Sequence, residues 1–492
     1  MDTPPRNMDA AAPALTEREK NVIIGGVLLA ILLAALDQTI VAPALPTIGA
    51  ALGHADYLPW IVTAYLLTAT AAAPLYGKIS DVHGRRVTIH AAMFAFLVGS
   101  VVSAVAPSML VLVLGRAIQG LGGGGLFTLA QTVIGDLVPP KERARYAAWI
   151  SGTWAVASIA GPLLGGVFAE HLHWSLVFWI NIPLGIAAAA IMNRPLKKLP
   201  IVGRRHSIDI PGAVLLLAAT ATLLLALSWG GSEYPWLSAP IAGLVGGSAL
   251  LWGLFALRLR RAAEPLVSLE VLANPIVLWG TISIALLAAA NVGLTVYLPI
   301  YLQSVLGLTA AQSGTAMLPF LLGTVVGAST SGRLVARIVH YKRIAAFGLV
   351  LSTLCVIVLG LVASEASLLV VNVLLTLIGI GMGTMFPVGT VSVQNAVDHA
   401  HLGVATGVLA FLRSLGSALG VAALGAVALG YGLPLARETA QVVVAPAMAG
   451  AAFAAIFFAS AAILAACVGA LFLMPEKPLR GRGSEKTRAA EG

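Results

Sequence analysis

Charged residues are scarce in this sequence: Asp, Glu, Lys and Arg make up 10% of the 492 residues, whereas a soluble globular protein carries about 25%. Cysteine is almost absent, and Cys355 and Cys467 both lie inside apolar runs, so we expect two buried thiols and no disulfide. A Walker A loop is missing, because the one Gly-Lys pair, Gly77-Lys78, is followed by Ile79. No group of His, Cys and acidic residues has metal-ligand spacing. We therefore expect neither an enzyme nor a bound metal or cofactor.

Long apolar stretches, by contrast, recur along the whole chain. Hydrophobic residues make up 59% of it, and about 20 consecutive apolar residues cross a bilayer as a helix. The pattern predicts an all-α polytopic membrane protein with fourteen transmembrane helices, at residues 22–43, 58–76, 87–106, 110–134, 147–169, 174–193, 210–229, 236–257, 275–301, 312–332, 344–362, 367–390, 403–429 and 449–473.

The distribution of basic residues supports this count. Successive connections alternate between the two sides of the bilayer, and 26 of the 29 Lys and Arg residues fall in the tails or in connections on one side. The positive-inside rule places that side in the cytoplasm, so both termini are predicted to be cytoplasmic. Adding or removing one span would invert every later connection and destroy the bias. The net charge of +9 thus reflects membrane orientation, and we expect no nucleic-acid partner.

The predicted spans fall into three blocks between two polar tails. A cytoplasmic tail (1–21) precedes a six-helix bundle (22–193), basic linkers with an extra helix pair (194–274), a second six-helix bundle (275–473) and a further cytoplasmic tail (474–492). Two parallel bundles of six helices form a central cavity for alternating access in many transporters. The fold class is therefore two six-helix bundles with two additional central helices.

The two bundles are predicted to be weak repeats of each other. The fourth span contains a glycine run at 120–125, and the twelfth contains Gly379, Gly381 and Gly383. Small residues allow membrane helices to approach closely, and helix packing is the first interpretation of these runs. The alternative is that they line a substrate path.

One acidic residue is predicted to lie deep in the bilayer. Nineteen of the twenty acidic residues fall in tails, loops or span ends, and the exception is Asp37. It lies 15 residues past Val22, about 22 Å along a helix, beyond the midplane of a hydrocarbon core about 30 Å thick. A charged group there is costly and marks a functional candidate. Asp37 is therefore a predicted proton carrier; the alternative is a hydrogen-bonded acid that fixes helix packing.

Two arginines also fall within predicted spans. Arg116 precedes the glycine run of the fourth span. It could pair with Asp37 and assist proton coupling, or reach the membrane surface with its long side chain. Arg413 precedes a second glycine-rich run at 416–420, and its alternatives are helix packing or gating on one side and substrate contact on the other.

Polar and aromatic side chains within the spans are predicted to line a cavity, although each type also occurs in helix packing and at membrane interfaces. These residues are Gln38, Trp60, Tyr65, Gln119, Trp154, Asn181, Tyr297 and Gln303.

Four segments, in this order, resemble motifs of the major facilitator superfamily, specifically of its fourteen-span drug:proton antiporter branch. They are Leu36–Pro46 in the first span, Gly77–Arg86 after the second, Leu112–Gly124 in the fourth and Gly152–Gly166 in the fifth. The resemblance implies the major facilitator fold and a drug exporter coupled to protons through Asp37 and Arg116.

The resemblance also implies roles for the residues of two motifs. In the loop after the second span the aspartate would bond to a neighbouring helix end, a glycine would make the turn, and the arginines would hold a conformational gate, formed by Gly77, Asp81, Gly84, Arg85 and Arg86. In the fifth span the glycines and the proline would kink and pack the helix, shaping the cavity and restraining leak. These residues are Gly152, Gly161, Pro162, Gly165 and Gly166. The equivalent loop of the second bundle has Ala336 where Asp81 would repeat, so an asymmetric gate is expected.

The sequence therefore predicts a proton-coupled multidrug efflux transporter in the inner cell membrane. Asp37 would take up a proton in the outward-facing state and release it inward, while a lipophilic small molecule leaves through the same cavity. The expected partners are that substrate, protons and the lipid bilayer, and the protein is expected to be a monomer. The sequence does not specify whether a periplasmic adaptor takes part. The alternative functions are a facilitator or importer of a metabolite or lipid and, more remotely, a membrane sensor or scaffold that transports nothing.

Overall fold

The computed structural model describes residues 16–53, 57–198, 209–231, 233–262, 265–267, 269–335, 337–398, 401–431 and 446–479. These residues are predominantly helical and contain no β-strand. Helices α1–α17 are, in order, Glu17–Leu52, Leu58–His83, Arg85–Ala104, Met109–Leu137, Pro140–His171, Leu176–Trp179, Asn181–Asn193, Ile210–Trp229, Ala239–Arg261, Leu269–Ala273, Pro275–Ser304, Ala310–Ala316, Leu318–Val335, Lys342–Leu361, Leu368–Ala396, Leu402–Gly430 and Pro446–Leu473.

Thirteen segments in the described part of the chain are helical, long and apolar enough to cross a membrane. They coincide with thirteen of the fourteen predicted spans. The predicted second span coincides with α2, which is not among the thirteen. The predicted sixth and tenth spans are each made of two consecutive helices, α6 with α7 and α12 with α13.

Two groups of helices form the main apolar cores. Helices α1–α7 pack around residues such as Ile31 and Phe96, and helices α11–α17 pack around residues such as Tyr301 and Phe453. The extra helices α8 and α9 pack on each other, and α8 also contacts α2 and α16. The pair therefore lies beside the seam between the two groups.

The glycine runs pack in the same way in both groups. In α4, a Cβ at Gly124 would overlap the Ala69 carbonyl in α2, and one at Gly122 would overlap the α3 backbone. In α15, a Cβ at Gly383 would overlap the Thr324 carbonyl in α13, and one at Gly381 would overlap the α14 backbone. Each glycine-rich helix is thus held between two neighbours, which supports the packing interpretation of both runs.

Many charged contacts gather at one end of the helices, which we call the charged end. Lys198 Nζ lies 2.7 Å from Glu19 Oε1, and Arg85 Nε lies 2.7 Å from Asp136 Oδ2. Lys342 Nζ donates over 2.6 Å to the carbonyl oxygen of Met474. The beginnings of α1, α3 and α14 and the end of α17 therefore lie on the same side of the bundle.

The fold makes a prediction about the glycine contacts. The Gly124→Ala variant should be destabilised by about 1–3 kcal/mol, the usual effect of overpacking, because its new methyl group would meet the α2 backbone. The matched control is Gly246→Ala in α9, where a Cβ meets nothing within 4 Å. Thermal unfolding of both purified variants checks this, and equal unfolding temperatures for the two would contradict the packing account.

Candidate functional site

A cluster of polar side chains lies buried among α1, α3, α4 and α7. At its centre Arg116 Nη1 in α4 donates to Asp37 Oδ2 in α1 over 2.6 Å, and their side chains are 1% and 0% exposed. Gln119 Nε2 donates to Asp37 Oδ1 over 2.7 Å, and Asn181 Nδ2 donates to the same oxygen over 2.9 Å. The Ser100 hydroxyl oxygen accepts from both amides, over 2.7 and 3.0 Å. Both carboxylate oxygens of Asp37 are therefore bound.

Arg116 has neutral partners besides the carboxylate. Its Nη1 donates to Gln119 Oε1 over 2.7 Å, and its Nε donates to the Ile61 carbonyl oxygen in α2 over 3.0 Å. The guanidinium carbon also lies 4.5 Å from the ring centroid of Tyr65 and 5.7 Å from that of Phe178. Carbonyl oxygens and aromatic faces stabilise a cation in a low-dielectric interior. The arginine thus retains partners when the neighbouring carboxyl is neutral.

Close helix contacts bring this cluster together. A Cβ at Gly99 in α3 would lie 2.6 Å from Gln119 Cβ, so the glycine allows Ser100 to reach the amides. On the other side, Thr39 Oγ1 in α1 donates to the Ala157 carbonyl oxygen in α5 over 2.9 Å. Gly161 and Gly165 of α5 pack directly on α1 at residues 39 and 40, so that α1 and α5 are in tight contact beside Asp37.

The fifth-span motif is only partly engaged in this contact. Gly161 and Gly165 are buried, whereas Pro162 is exposed. A Cβ at Gly152 or Gly166 would meet nothing within 4 Å. Two of the four glycines are therefore required for packing against α1, and the role of the motif in restraining leak stays a prediction.

A second polar site lies at the charged end, where α2 meets α16. The Asp81 carboxylate accepts from the backbone N–H groups of Gly403 over 3.2 Å and Val404 over 2.9 Å, at the first turn of α16. A carboxylate at a helix amino terminus satisfies free N–H groups and complements the helix dipole. Arg85 Nη1 lies 2.5 Å from Asp81 Oδ1, and Arg85 Nε lies 2.7 Å from Asp136 Oδ2.

The remaining residues of the predicted gate surround this contact. Gly77 of α2 packs against the Gly403 carbonyl so closely that a Cβ would overlap it. Gly84 separates α2 from α3 with φ +85, which favours glycine. Arg86 donates from Nε and Nη2 to Asn193 Oδ1 at the end of α7, over 3.2 and 2.8 Å. The five residues therefore form one region that joins helices of both groups. Ala336, the predicted position of a repeated aspartate, lies outside the described residues.

The residues predicted to line a cavity separate into different surroundings. Tyr65, Gln119 and Asn181 are buried in or against the Asp37 cluster. Tyr297 is buried as well and donates to the Val421 carbonyl oxygen over 3.3 Å. Gln303 is exposed and donates to Ser313 Oγ over 3.1 Å. The partly exposed residues are Gln38, Trp60 and Trp154.

Three partners in these sites were not anticipated from the sequence. Ser100 accepts two hydrogen bonds in the cluster, the Ile61 carbonyl accepts from Arg116, and Asp136 pairs with Arg85. Nothing in the sequence marks a serine or a backbone carbonyl within an apolar helix as a partner of a distant buried side chain. Asp136 lies at a span end, like most acids in the chain, and only the fold places it beside Arg85.

Comparison with known proteins identifies the family. A sequence model of the Major Facilitator Superfamily matches residues 27–421, and the chain belongs to this superfamily. Human MFSD10 (TETRAN), an organic anion transporter, has a similar fold, with a TM-score of 0.64 and 18% identity over 92% of this chain and 99% of that one. The protein is therefore a multi-pass membrane protein of this superfamily.

Two bacterial relatives are similar in sequence. An uncharacterised MFS-type transporter of Mycobacterium tuberculosis is 33% identical over 426 residues, which cover 86% of this chain and 62% of that protein. The chain thus corresponds to less than two thirds of that relative's length. The multidrug transporter protein MdtP of Bacillus subtilis is 32% identical over 411 residues, which cover 84% of this chain and 76% of that protein.

The buried ion pair makes a prediction about stability. The Arg116→Gln variant should lose about 3–5 kcal/mol, because it leaves Asp37 as an uncompensated buried charge. The double variant Asp37→Asn/Arg116→Gln removes both charges and should be more stable than Arg116→Gln alone. Thermal unfolding of the unmodified protein, the two single variants Asp37→Asn and Arg116→Gln, and the double variant, all in one detergent, gives the coupling energy between the two residues.

The exposed pair Lys20–Glu17, with 2.9 Å between Nζ and Oε1, is the matched control. Neutralising either partner there should change stability by no more than about 1 kcal/mol. If the stability losses of the two single variants simply add in the Asp37/Arg116 double variant, the two residues are not energetically coupled.

Proposed function

We propose that this superfamily member is a proton-coupled multidrug exporter that moves lipophilic small molecules out of the cell by alternating access. The observation that carries the proposal is the buried cluster of Asp37, Arg116, Gln119, Asn181 and Ser100. A paired carboxylate buried within membrane helices is costly to build and typical of proton pathways. The name of the similar protein MdtP, a multidrug transporter, supports export of drug-like compounds.

The topology is part of this proposal. We include α2, which has 26 residues and packs on α4 and α16, as the second of fourteen transmembrane helices. The charged end then faces the cytoplasm together with both termini, as the positive-inside rule requires. The two six-helix bundles (22–193 and 275–473) are the moving halves, and the intervening helix pair lies beside their seam.

Proton binding at Asp37 would act on the Arg116 contact. A proton on Oδ2 occupies the position that receives Arg116 Nη1, so it removes the ion pair. Gln119 Oε1, the Ile61 carbonyl and the Tyr65 ring remain to hold the guanidinium. The Arg116 cation therefore keeps hydrogen-bond and ring partners whether Asp37 is ionised or protonated. This is what a reversible proton carrier needs.

Contacts between helices would carry this change to the other half. Asp37 lies in α1, which packs tightly on α5 through Gly161 and Gly165, and α5 contacts α13 and α15 of the second group. At the charged end, Asp81 binds the beginning of α16. Opening toward the cytoplasm requires that contact to break, so Asp81 and its arginines form the gate that the proton-dependent motion must release.

The proposal predicts the behaviour of one conservative variant. Asp37→Asn protein in liposomes should fail to accumulate substrate against its gradient when a pH gradient is imposed, because the amide cannot carry a proton. It should still exchange substrate across the membrane without a gradient. Flux of a fluorescent drug in proteoliposomes measures both activities.

The matched control is Glu365→Gln, which removes an exposed carboxyl between α14 and α15 and should transport as the unmodified protein does. Uphill, pH-driven transport by Asp37→Asn would refute the proposed role of Asp37. If drug exchange by the unmodified protein is unaffected by the pH gradient and by uncouplers, the result would instead favour a facilitator.

A further inference from the structure

Arg413 occupies a position between the two groups of helices. Its guanidinium carbon lies 4.6 Å from the ring centroid of Phe127 in α4 and 5.8 Å from that of Phe386 in α15. Phe127 belongs to the first group, whereas Phe386 and Arg413 itself belong to the second. The three side chains are all partly exposed, so they face the space where the two groups meet.

The guanidinium has no anionic partner in the described part of the chain. Two buried arginines are paired with carboxylates: Arg116 with Asp37, and Arg85 with both Asp81 and Asp136. A third, Arg143, donates to the carbonyl oxygens of Gly135 and Val138. Arg413, by contrast, has only ring contacts among the described residues, with neither a carboxylate within 4.0 Å nor a side-chain hydrogen bond. A permanent cation within a membrane helix is expensive unless an opposite charge or water compensates it.

The depth of Arg413 separates it from the charged end and from the Asp37 cluster. It lies 11 residues past Leu402, about 16 Å along α16 at a rise of about 1.5 Å per residue. Phe127 likewise lies 11 residues past Arg116 in α4, about 16 Å along that helix. The cation therefore sits near mid-membrane, where a transporter of this architecture binds its cargo.

We propose that Arg413 recognises the acidic group of the transported compound, and that the substrates include lipophilic aromatic anions. A guanidinium binds a carboxylate or sulfonate through paired N–H donors, and Phe127 and Phe386 supply faces for the aromatic part of the same molecule. The inference rests on the proposed export function, since an inside-negative membrane potential also favours the outward movement of an anion. Arg413 is thus a specificity residue, separate from the proton-carrying cluster.

A pair of dyes with the same ring system tests this assignment. Fluorescein is an anion at pH 8, and rhodamine 123 is a cation with a similar xanthene ring. Equilibrium binding of each dye to the full chain in lipid nanodiscs is followed by fluorescence anisotropy. We expect saturable fluorescein binding that weakens at least about tenfold in Arg413→Gln, equivalent to about 1.4 kcal/mol, with a smaller loss in Arg413→Lys. Rhodamine 123 binding should not weaken.

The matched control is Arg145→Gln, which removes an exposed arginine that lies over Trp149, with 5.3 Å between the guanidinium carbon and the ring centroid. That variant should bind both dyes as the unmodified protein does. Equal weakening of both dyes in Arg413→Gln would indicate a packing or gating role and overturn the inference. Unchanged fluorescein binding in that variant, or no saturable fluorescein binding by the unmodified protein, would overturn it as well.

A transport measurement with the same two dyes in liposomes separates this inference from the proposed function. If fluorescein binds through Arg413 but a pH gradient drives no export of either dye from liposomes, export coupling fails and the binding assignment stands. If a pH gradient drives export while fluorescein binding is indifferent to Arg413, the binding assignment alone fails.

Discussion

The contact between Asp37 and Arg116 is the constraint on which the other features depend. Two opposite charges with 2.6 Å between their atoms are buried almost completely, and each offsets much of the other's cost of burial. Gln119, Asn181 and Ser100 complete the hydrogen bonds of the carboxylate, and the Ile61 carbonyl and Tyr65 ring share the cation. These partners come from α1, α2, α3, α4 and α7, so a change of charge at one atom affects the packing of five helices. Glycine contacts of α4 with α2 and α3, and of α5 with α1, bring these helices close enough for the ion pair to form.

Helix α4 connects the three sites. Arg116 lies in its second turn, Phe127 in its middle and Asp136 in its last turn. Arg116 and Asp136 are 20 residues apart, about 30 Å along a helix. Through these residues α4 contacts Asp37, Arg413 and Arg85. In the proposed mechanism a shift of this helix is sensed at the Asp37 cluster, at the charged end and beside the substrate.

Much of the fold follows from apolar run length and from the side on which arginine and lysine fall. Thirteen predicted spans coincide with helices that can cross a membrane, and the predicted second span coincides with α2. Asp37 is identifiable as the one acid deep in a span, because its cost in lipid is independent of its neighbours. Its hydrogen-bond partners are not predictable in this way. Gln119 and Asn181 lie far apart in sequence from Asp37, and Ser100 is one of many serines in apolar helices, so only helix packing reveals which of them meet the carboxylate.

The most direct test of the account is to measure proton release by the purified protein when substrate binds. In a series of weakly buffered detergent solutions of decreasing pH, addition of a transported drug should release protons from the unmodified protein, up to one per molecule, because substrate and proton compete through the state of Asp37. A pH indicator dye records the release. The Asp37→Asn protein should bind the drug and release none. Equal proton release from the two proteins would contradict the account, because the proton would then come from another group.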